Sequence, residues 1–441
     1  MTRLGRGLLS CLPVLLIIPA VVSARDKSAA SAAMPNVVVV MADSLGYGDV
    51  GAYGADDVRT PHIDSLARQG VRLTDFYANG PVCTPTRAAF ITGRYQQRVG
   101  LEWYLLGQKD LGLAPSEGSL PSLLRARGYA TAMFGKWHLG YKPEFGPNAH
   151  GFDEFFGIHG WAVDYYTHLD INGEPGLFEN TSLVDRPGYL TDLITERATS
   201  YIARARRPFF AFVAYNAAVA PYQAPDHPED VRTRTTWYQG TRTDVVRMIE
   251  RVDDGVGRIV GALEKAGLER ETLVVFTSDH GGSRLSRRDP LFHGFGTVWE
   301  GGIRVPCILR WPGRLPAGVS RHPALTMDLT ASILGLSGPS PLPAPLDGID
   351  LLPILRGAEG TAERALFWRI DNATRKQKAV RKGKWKLVFD GNGELLFNLE
   401  EDVSERRDLG FRNPGVAAEL RAALASWEQE LARTPPPFVL K

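Results

Sequence analysis

Residues 36–43 (NVVVVMAD), 208–215 (PFFAFVAY) and 272–279 (TLVVFTSD) are apolar at consecutive positions, without the alternation that marks a half-exposed strand. Strands of that kind are buried on both faces, as inside a parallel sheet covered by helices. The chain between them carries apolar residues at helical spacing instead, in 60–70 (TPHIDSLARQG), 119–128 (SLPSLLRARG), 189–205 (YLTDLITERATSYIARA) and 245–267 (VVRMIERVDDGVGRIVGALEKAG). The alternation predicts an α/β fold with a large, mostly parallel sheet flanked by helices. Past the proline-rich passage 336–348 (LSGPSPLPAPLDG) the pattern changes. Residues 378–399 read as antiparallel strands about the turn Asp390-Gly391-Asn392-Gly393, and 415–432 read as a closing helix. A smaller C-terminal antiparallel sheet with a packed helix is therefore expected.

Asp43 and Asp279 each close one of the buried runs. Ligands of α/β sheets collect at the carboxyl ends of strands, which makes both aspartates candidate site residues. The glycines Gly46, Gly48 and Gly51 satisfy G-x-G-x-x-G just after the first run. A dinucleotide site needs a helix to begin there, whereas Gly54 and Pro61 follow, so the stretch reads as a loop.

Composition narrows the class. The 441 residues are 44% hydrophobic with a net charge of +2. That is enough chain for a large core, and with no basic tail or stripe it excludes nucleic acid as a partner. The N-terminus has Arg3 and Arg6, an apolar run from Leu8 to Val22, and then Val22-Ser23-Ala24. This is the order of a secretory signal, and Pro13 and Pro19 interrupt a run already short for a membrane span. The expected organisation is a signal peptide over 1–24, a linker over 25–35, a catalytic α/β domain over 36–340 and a C-terminal α+β subdomain over 341–441. The expected location is secreted or periplasmic, with no membrane association after cleavage. Cys11 leaves with the signal, and the two cysteines that remain make no disulfide scaffold. Cys307, in RVPCILRWP, reads as a buried small hydrophobe.

Cys83 stands in VCTPTRAAFITGRY (82–95). Pro85 favours the first turn of a helix and Thr84 is a candidate cap. Cys83 is then expected immediately before a helix N-terminus, where backbone N–H groups and the dipole favour an anion. Arg87 lies one turn further on and can aim its donors at the same spot. Cys-Thr-Pro-Thr-Arg followed by Thr92-Gly93-Arg94 resembles the signature of the type I sulfatase family. PNVVVVMADSLGYGDVGAYG (35–54), GKWHLG (135–140), AVDYYTH (162–168), GYLTDLITE (188–196), TSDHGG (277–282) and WEGGIRVPCILRWPG (299–313) resemble further motifs of that family, in order, across almost the whole chain after the signal.

The resemblance implies an alkaline-phosphatase-like fold and a sulfuric ester hydrolase of arylsulfatase type, acting on aryl or carbohydrate sulfates. It implies that a formylglycine-generating enzyme converts Cys83 to formylglycine, whose hydrate attacks sulfur. It implies a Ca²⁺ ion, or another divalent cation, held by Asp43, Ser44, Cys83, Asp279 and His280; hard oxygen donors suit Ca²⁺, and an imidazole also suits Mn²⁺ or Zn²⁺. Catalytic roles pass by the same resemblance to Cys83, to Arg87 for charge stabilisation, to Lys136 for contact with the sulfate, and to His138 for contact with the hydrated aldehyde.

Three positions depart from the family pattern. Ser44 stands where a second aspartate is usual, Val219 where a histidine commonly protonates the leaving group, and Phe295 where a lysine is usual. Candidate substitutes are His227 as an acid, His293 on the same face as Phe295 if that stretch is extended, and the cations Arg284, Arg287 and Arg288. Two other readings stay open: a weak or inactive relative that binds sulfated glycans, and a phosphodiester or phosphonate ester hydrolase of the same superfamily.

Overall fold

The computed structural model describes residues 34–441 apart from 117, 206–207, 339–341, 343–344, 359–362, 434–435 and 437–441. The expected signal segment, most of the linker and part of the proline-rich passage lie outside the described residues. Residues Pro35–Lys441 form one compact unit. No helix of the described residues is long and apolar enough to cross a membrane.

The three apolar runs are neighbouring strands in the middle of a ten-stranded sheet. Thr272–Ser278, Asn36–Ala42, Phe209–Ala214, Ala130–Lys136 and Glu154–Ile158 lie side by side and parallel. Cys307–Arg310 and Leu177–Glu179 add antiparallel strands on the two flanks. The consecutive apolar residues have a simple cause: each strand feeds two cores. Val37, Val39 and Met41 join Phe210, Phe212, Leu273 and Val275 on one face. Val38, Val40 and Ala42 join Phe209, Ala211, Val274 and Phe276 on the other. Each large side chain buried in this way contributes about 1.5–3 kcal/mol, so both faces stay apolar over most of each strand. Cys307 is fully buried in its strand, as expected.

Helices Leu190–Arg204 and Arg242–Lys265 cover one face. Helices Cys83–Thr92 and Thr326–Leu336 serve the other. All ten residues of Cys83–Thr92 are buried. Its end is set by Gly93, whose φ of +65° puts it in the left-handed region and lets its N–H bond to the Ala89 carbonyl. GYGDVG is a loop, with short 3₁₀ turns at Tyr47–Asp49 and Gly51–Tyr53 and no helix.

The C-terminal part is a four-stranded antiparallel sheet, Ala365–Asp371, Lys376–Lys382, Trp385–Asp390 and Gly393–Asn398. Asp390 pairs with Gly393 across the expected turn, and Gly391 takes a φ of +58° there. Helix Pro414–Arg433 buries Ala417, Leu420, Leu424, Trp427 and Leu431, one stripe at helical spacing, against this sheet. The sheet grips the larger part through buried polar contacts. Trp368 Nε1 donates to the Ala78 carbonyl at 2.8 Å, and Lys386 Nζ lies 2.8 Å from Glu300 and 2.9 Å from Glu405.

Candidate active site

The sheet register assembles the acidic half of the site. Ala42 pairs with Ser278, so the residues that follow, Asp43 and Asp279, leave the sheet side by side at its carboxyl edge. Both are fully buried. Ser44 then turns with a φ of +59°. Its N–H donates to Asp279 Oδ1 at 3.2 Å and its Oγ donates to Asp43 Oδ1 at 2.9 Å. Lys136, the last residue of the strand Ala130–Lys136, reaches Asp43 Oδ2 at 2.5 Å and Cys83 Sγ at 3.4 Å.

The helix Cys83–Thr92 supplies the other half. The expectation that Thr84 caps it and that Cys83 precedes it is corrected: Val82 is the N-cap, without a side-chain cap bond, and Cys83 is the first helical residue. The Thr84 hydroxyl is a strut instead, donating to the His138 carbonyl at 3.0 Å and accepting from the Leu105 N–H at 3.2 Å. Thr86 ties down the preceding loop through both the N–H and the carbonyl of Gly80. Cys83 thus remains at the positive end of the helix. Arg87, one turn on, donates to Asp279 Oδ2 from Nε at 3.0 Å, to Asp43 Oδ2 from Nη2 at 3.3 Å, and to the Lys136 carbonyl from Nη1 at 2.6 Å.

One ligand atom from each of Asp43, Cys83, Asp279 and His280 lies within 4.8 Å of the others. His280 Nδ1 is 2.9 Å from the Gly281 carbonyl, which can only accept, so Nδ1 carries a proton and Nε2 faces the cluster. Nε2 is 3.3 Å from Cys83 Sγ and 3.4 Å from Asp279 Oδ1. Burial alone would lower the His280 pKa, but the charges of Asp279, Cys83 and Asp43 outweigh it and push it up to about 10. The cluster draws positive charge to Nε2, and a cation meets that demand as a proton does. Two carboxylates, an imidazole nitrogen and a serine hydroxyl converging in a buried site fit a divalent cation.

The two carboxylates are pushed apart. Burial opposes ionisation of Asp43, yet Lys136, Arg87 and His280 hold it below the usual carboxylate range. Asp279 is raised, by burial first and then by the Asp43 charge. His138 is neutral, because burial and the Lys136 charge take its pKa well below the ordinary imidazole value. Its Nε2 donates to the Leu105 carbonyl at 2.9 Å, which leaves Nδ1 a buried acceptor without a partner among the described residues.

Above Cys83 opens a pocket of about 390 Å³, lined also by Ser44, Tyr104, Leu106, His138, Trp161, Val219, Tyr222, Tyr238, Arg284 and Phe295. The pocket walls from 104–106, 161 and 238 were not found by sequence reasoning; aromatic residues in irregular segments carry no period to read. Of the candidate substitutes, only Arg284 reaches the pocket. His227 is exposed and faces Glu229. His293 has a φ of +57°, so its stretch is not extended, and its ring lies against Phe292 and Trp299. Arg287 pairs with Asp56, and Arg288 donates to the Ser283 carbonyl.

A family model described as Sulfatase matches residues 35–339. The chain belongs to the sulfatase family. Steryl-sulfatase of Mus musculus is 34% identical over 90% of this chain and 83% of its own length. Arylsulfatase A of Homo sapiens is 35% identical over 88% of this chain and 86% of its own. The crystal structure of Ps i-CgsB in complex with k-i-k-neocarrahexaose superposes with a TM-score of 0.83 at 30% identity, covering 92% of this chain and 95% of that one. The protein is thus a sulfatase, a hydrolase of sulfate esters. In this sulfatase Ser44, Val219 and Phe295 all line the pocket that opens onto Cys83.

Proposed function

We propose that the protein cleaves sulfate monoesters with residue 83 as formylglycine and a divalent cation, Ca²⁺ in the first instance, held by Asp43, Ser44, Asp279 and His280. The carrying observation is the place of Cys83: first turn of a buried helix, 3.3 Å from His280 Nε2, 3.4 Å from Lys136 Nζ and at the floor of the only pocket into which this cluster opens among those described. A formylglycine hydrate at residue 83 would supply a hydroxyl nucleophile, and a bound cation would lower its pKa and take up sulfate charge.

The chain's own groups do the rest. Asp43 and Asp279 give the cation site its charge, and Arg87 spans both carboxylates so that neither is left unpaired. Lys136 and Arg87 keep positive charge beside residue 83, where negative charge develops. His138, which lines the same pocket and has a buried Nδ1 without a partner among the described residues, would accept a hydroxyl proton. The basic, apolar and small-residue order of the first 24 residues supports export to a secreted or periplasmic location, with a formylglycine-generating enzyme as the maturation partner.

The test is coexpression with a formylglycine-generating enzyme, peptide mass for conversion, and sulfate release from 4-nitrophenyl sulfate with Ca²⁺. Release should vanish in Cys83→Ala. Full conversion with no release would favour the inactive glycan-binding relative, and a clear preference for phosphate esters would favour the phosphoester reading.

A further inference from the structure

The relatives' names span sterol, aryl and carbohydrate chemistry, and the pocket above Cys83 distinguishes among these. We infer that it selects sulfate esters of phenols and other flat apolar alcohols over those of sugars, which rests on the reading of the chain as a sulfate ester hydrolase. Its walls are two aromatic pairs. Tyr104 and Phe295 have centroids 6.2 Å apart and planes at 27°, and Trp161 and Tyr238 have centroids 6.3 Å apart and planes at 14°. Leu106, Tyr238 and Phe295 are 53%, 60% and 40% exposed. They account for three of the eight exposed large apolar side chains among the described residues, gathered at one opening. Scattered apolar exposure is ordinary, but gathered exposure marks a binding surface.

What the lining lacks is as informative. It holds no carboxylate and no carboxamide, the groups that read a sugar's hydroxyl pattern by paired hydrogen bonds. Its one cationic side chain, Arg284, donates to the Tyr238 carbonyl at 3.3 Å. A sugar hydroxyl set against Val219, Leu106 or Phe295 meets no partner on those side chains, a loss of about tenfold in affinity for each, and of the hydroxyls that do line the pocket Tyr222 and Ser283 are already bonded to each other at 3.3 Å. A ring of aromatic carbons loses nothing there and stacks on either wall.

The same lining bears on the chemical step. Water is the co-substrate: the bond between sulfur and the ester oxygen breaks, the electron pair leaves on that oxygen, and an oxygen from water ends on sulfur as hydrogen sulfate. Val219 offers no proton to the departing oxygen, no carboxylic acid lines the pocket, and the only N–H of His138 is committed to Leu105. A phenolic oxygen, with a conjugate acid near pKa of about 10, leaves as the anion and takes its proton from solvent. A sugar alkoxide is far more basic and needs the proton during departure, which is worth about 10²–10⁴ in rate.

The experiment has a binding arm and a turnover arm. Calorimetry on the full chain carrying Cys83→Ala compares 2-naphthyl sulfate with glucose 6-sulfate. The naphthyl ester should bind at least tenfold tighter, and adding Trp161→Ala or Phe295→Ala should erase most of that ratio; quenching of tryptophan fluorescence in the native chain gives the ratio independently of any variant. For the converted enzyme, log(kcat/KM) for substituted phenyl sulfates should fall steeply with leaving-group pKa. Val219→His should flatten that slope and raise glucose 6-sulfate turnover at least tenfold relative to phenyl sulfate turnover. Equal binding of the two esters, or glucose 6-sulfate turnover within tenfold of phenyl sulfate, overturns the inference. Selective binding without hydrolysis of any sulfate ester upholds the pocket's selectivity and overturns the hydrolase reading instead.

Discussion

Ser44→Asp separates the electrostatics of the cation site from its chemistry. Ser44 has a φ of +59°, a region that aspartate enters more readily than most residues. Its Oγ already lies 2.9 Å from Asp43 Oδ1, and its N–H is bonded to Asp279 Oδ1. A carboxylate there would be a third negative charge in a buried cluster whose two permanent cations, Arg87 and Lys136, are already engaged. Two like charges about 4 Å apart repel by about 4 kcal/mol at an effective dielectric of about 20. Unfolding roughly 400 ordered residues carries an entropy of about 0.85 kcal/mol/K, so that repulsion corresponds to about 5 °C in Tm. In EDTA the variant should melt about 5 °C below the native chain. In millimolar Ca²⁺ the order should reverse, because the added carboxylate then faces a divalent charge and tighter binding raises stability by mass action. Scanning calorimetry of both chains in both buffers is the assay, and it needs no conversion of Cys83. Equal melting of variant and native chain in both buffers, or the same deficit with and without Ca²⁺, would refute the assignment of Asp43, Asp279 and His280 as cation ligands.

Lys386→Met should destabilise by about 3–5 kcal/mol in urea titrations, since it leaves the buried Glu405 carboxylate without its cation and Glu300 with Arg304 alone; adding Glu300→Gln should recover part of the loss. Gly135→Ala should lower Tm and sulfate release together: Gly135 has a φ of +111°, an added Cβ would sit 2.0 Å from the Ala214 carbonyl oxygen, and the next residue is Lys136. Asp253 accepts from the N–H groups of His62 and Ile63, and burial raises its pKa to about 6 despite those bonds. A folded value above the unfolded one means that its contribution is greatest below about pH 4 and is lost as pH rises through about 6. Asp253→Asn should flatten the stability profile between those limits, measured by denaturant midpoints at a series of pH values.

Much of the architecture was legible because it depends on local pattern. Runs such as Val37–Val40 can be satisfied only between two apolar layers, and that alone predicts the parallel centre of the sheet. Strand ends marked by Asp43 and Asp279, and a helix start marked by Pro85, likewise follow from neighbours in sequence. Helix Thr326–Leu336 was not legible, since it is buried almost all round and shows no amphipathic stripe. The strand Ala365–Asp371 alternates buried and half-buried residues, and its exposed-side positions carry too little polarity contrast to mark it from sequence.

The sequence by itself determined which side chains are chemically able to act: a cysteine at a helix start, aspartates at strand ends, an arginine one turn along. Only the tertiary structure decided what they meet. The pairing of Ala42 with Ser278 sets two aspartates from opposite halves of the chain beside each other. The first turn of Pro61–Gln69 is capped not by Thr60 but by Asp253 of another helix. The substitutes that sequence spacing offered for Val219 and Phe295 point elsewhere, apart from Arg284, and aromatic residues from four separate segments close around the space instead. Spacing along the chain constrains direction only within one helix or strand. Across loops, what a side chain faces is set by how the layers pack.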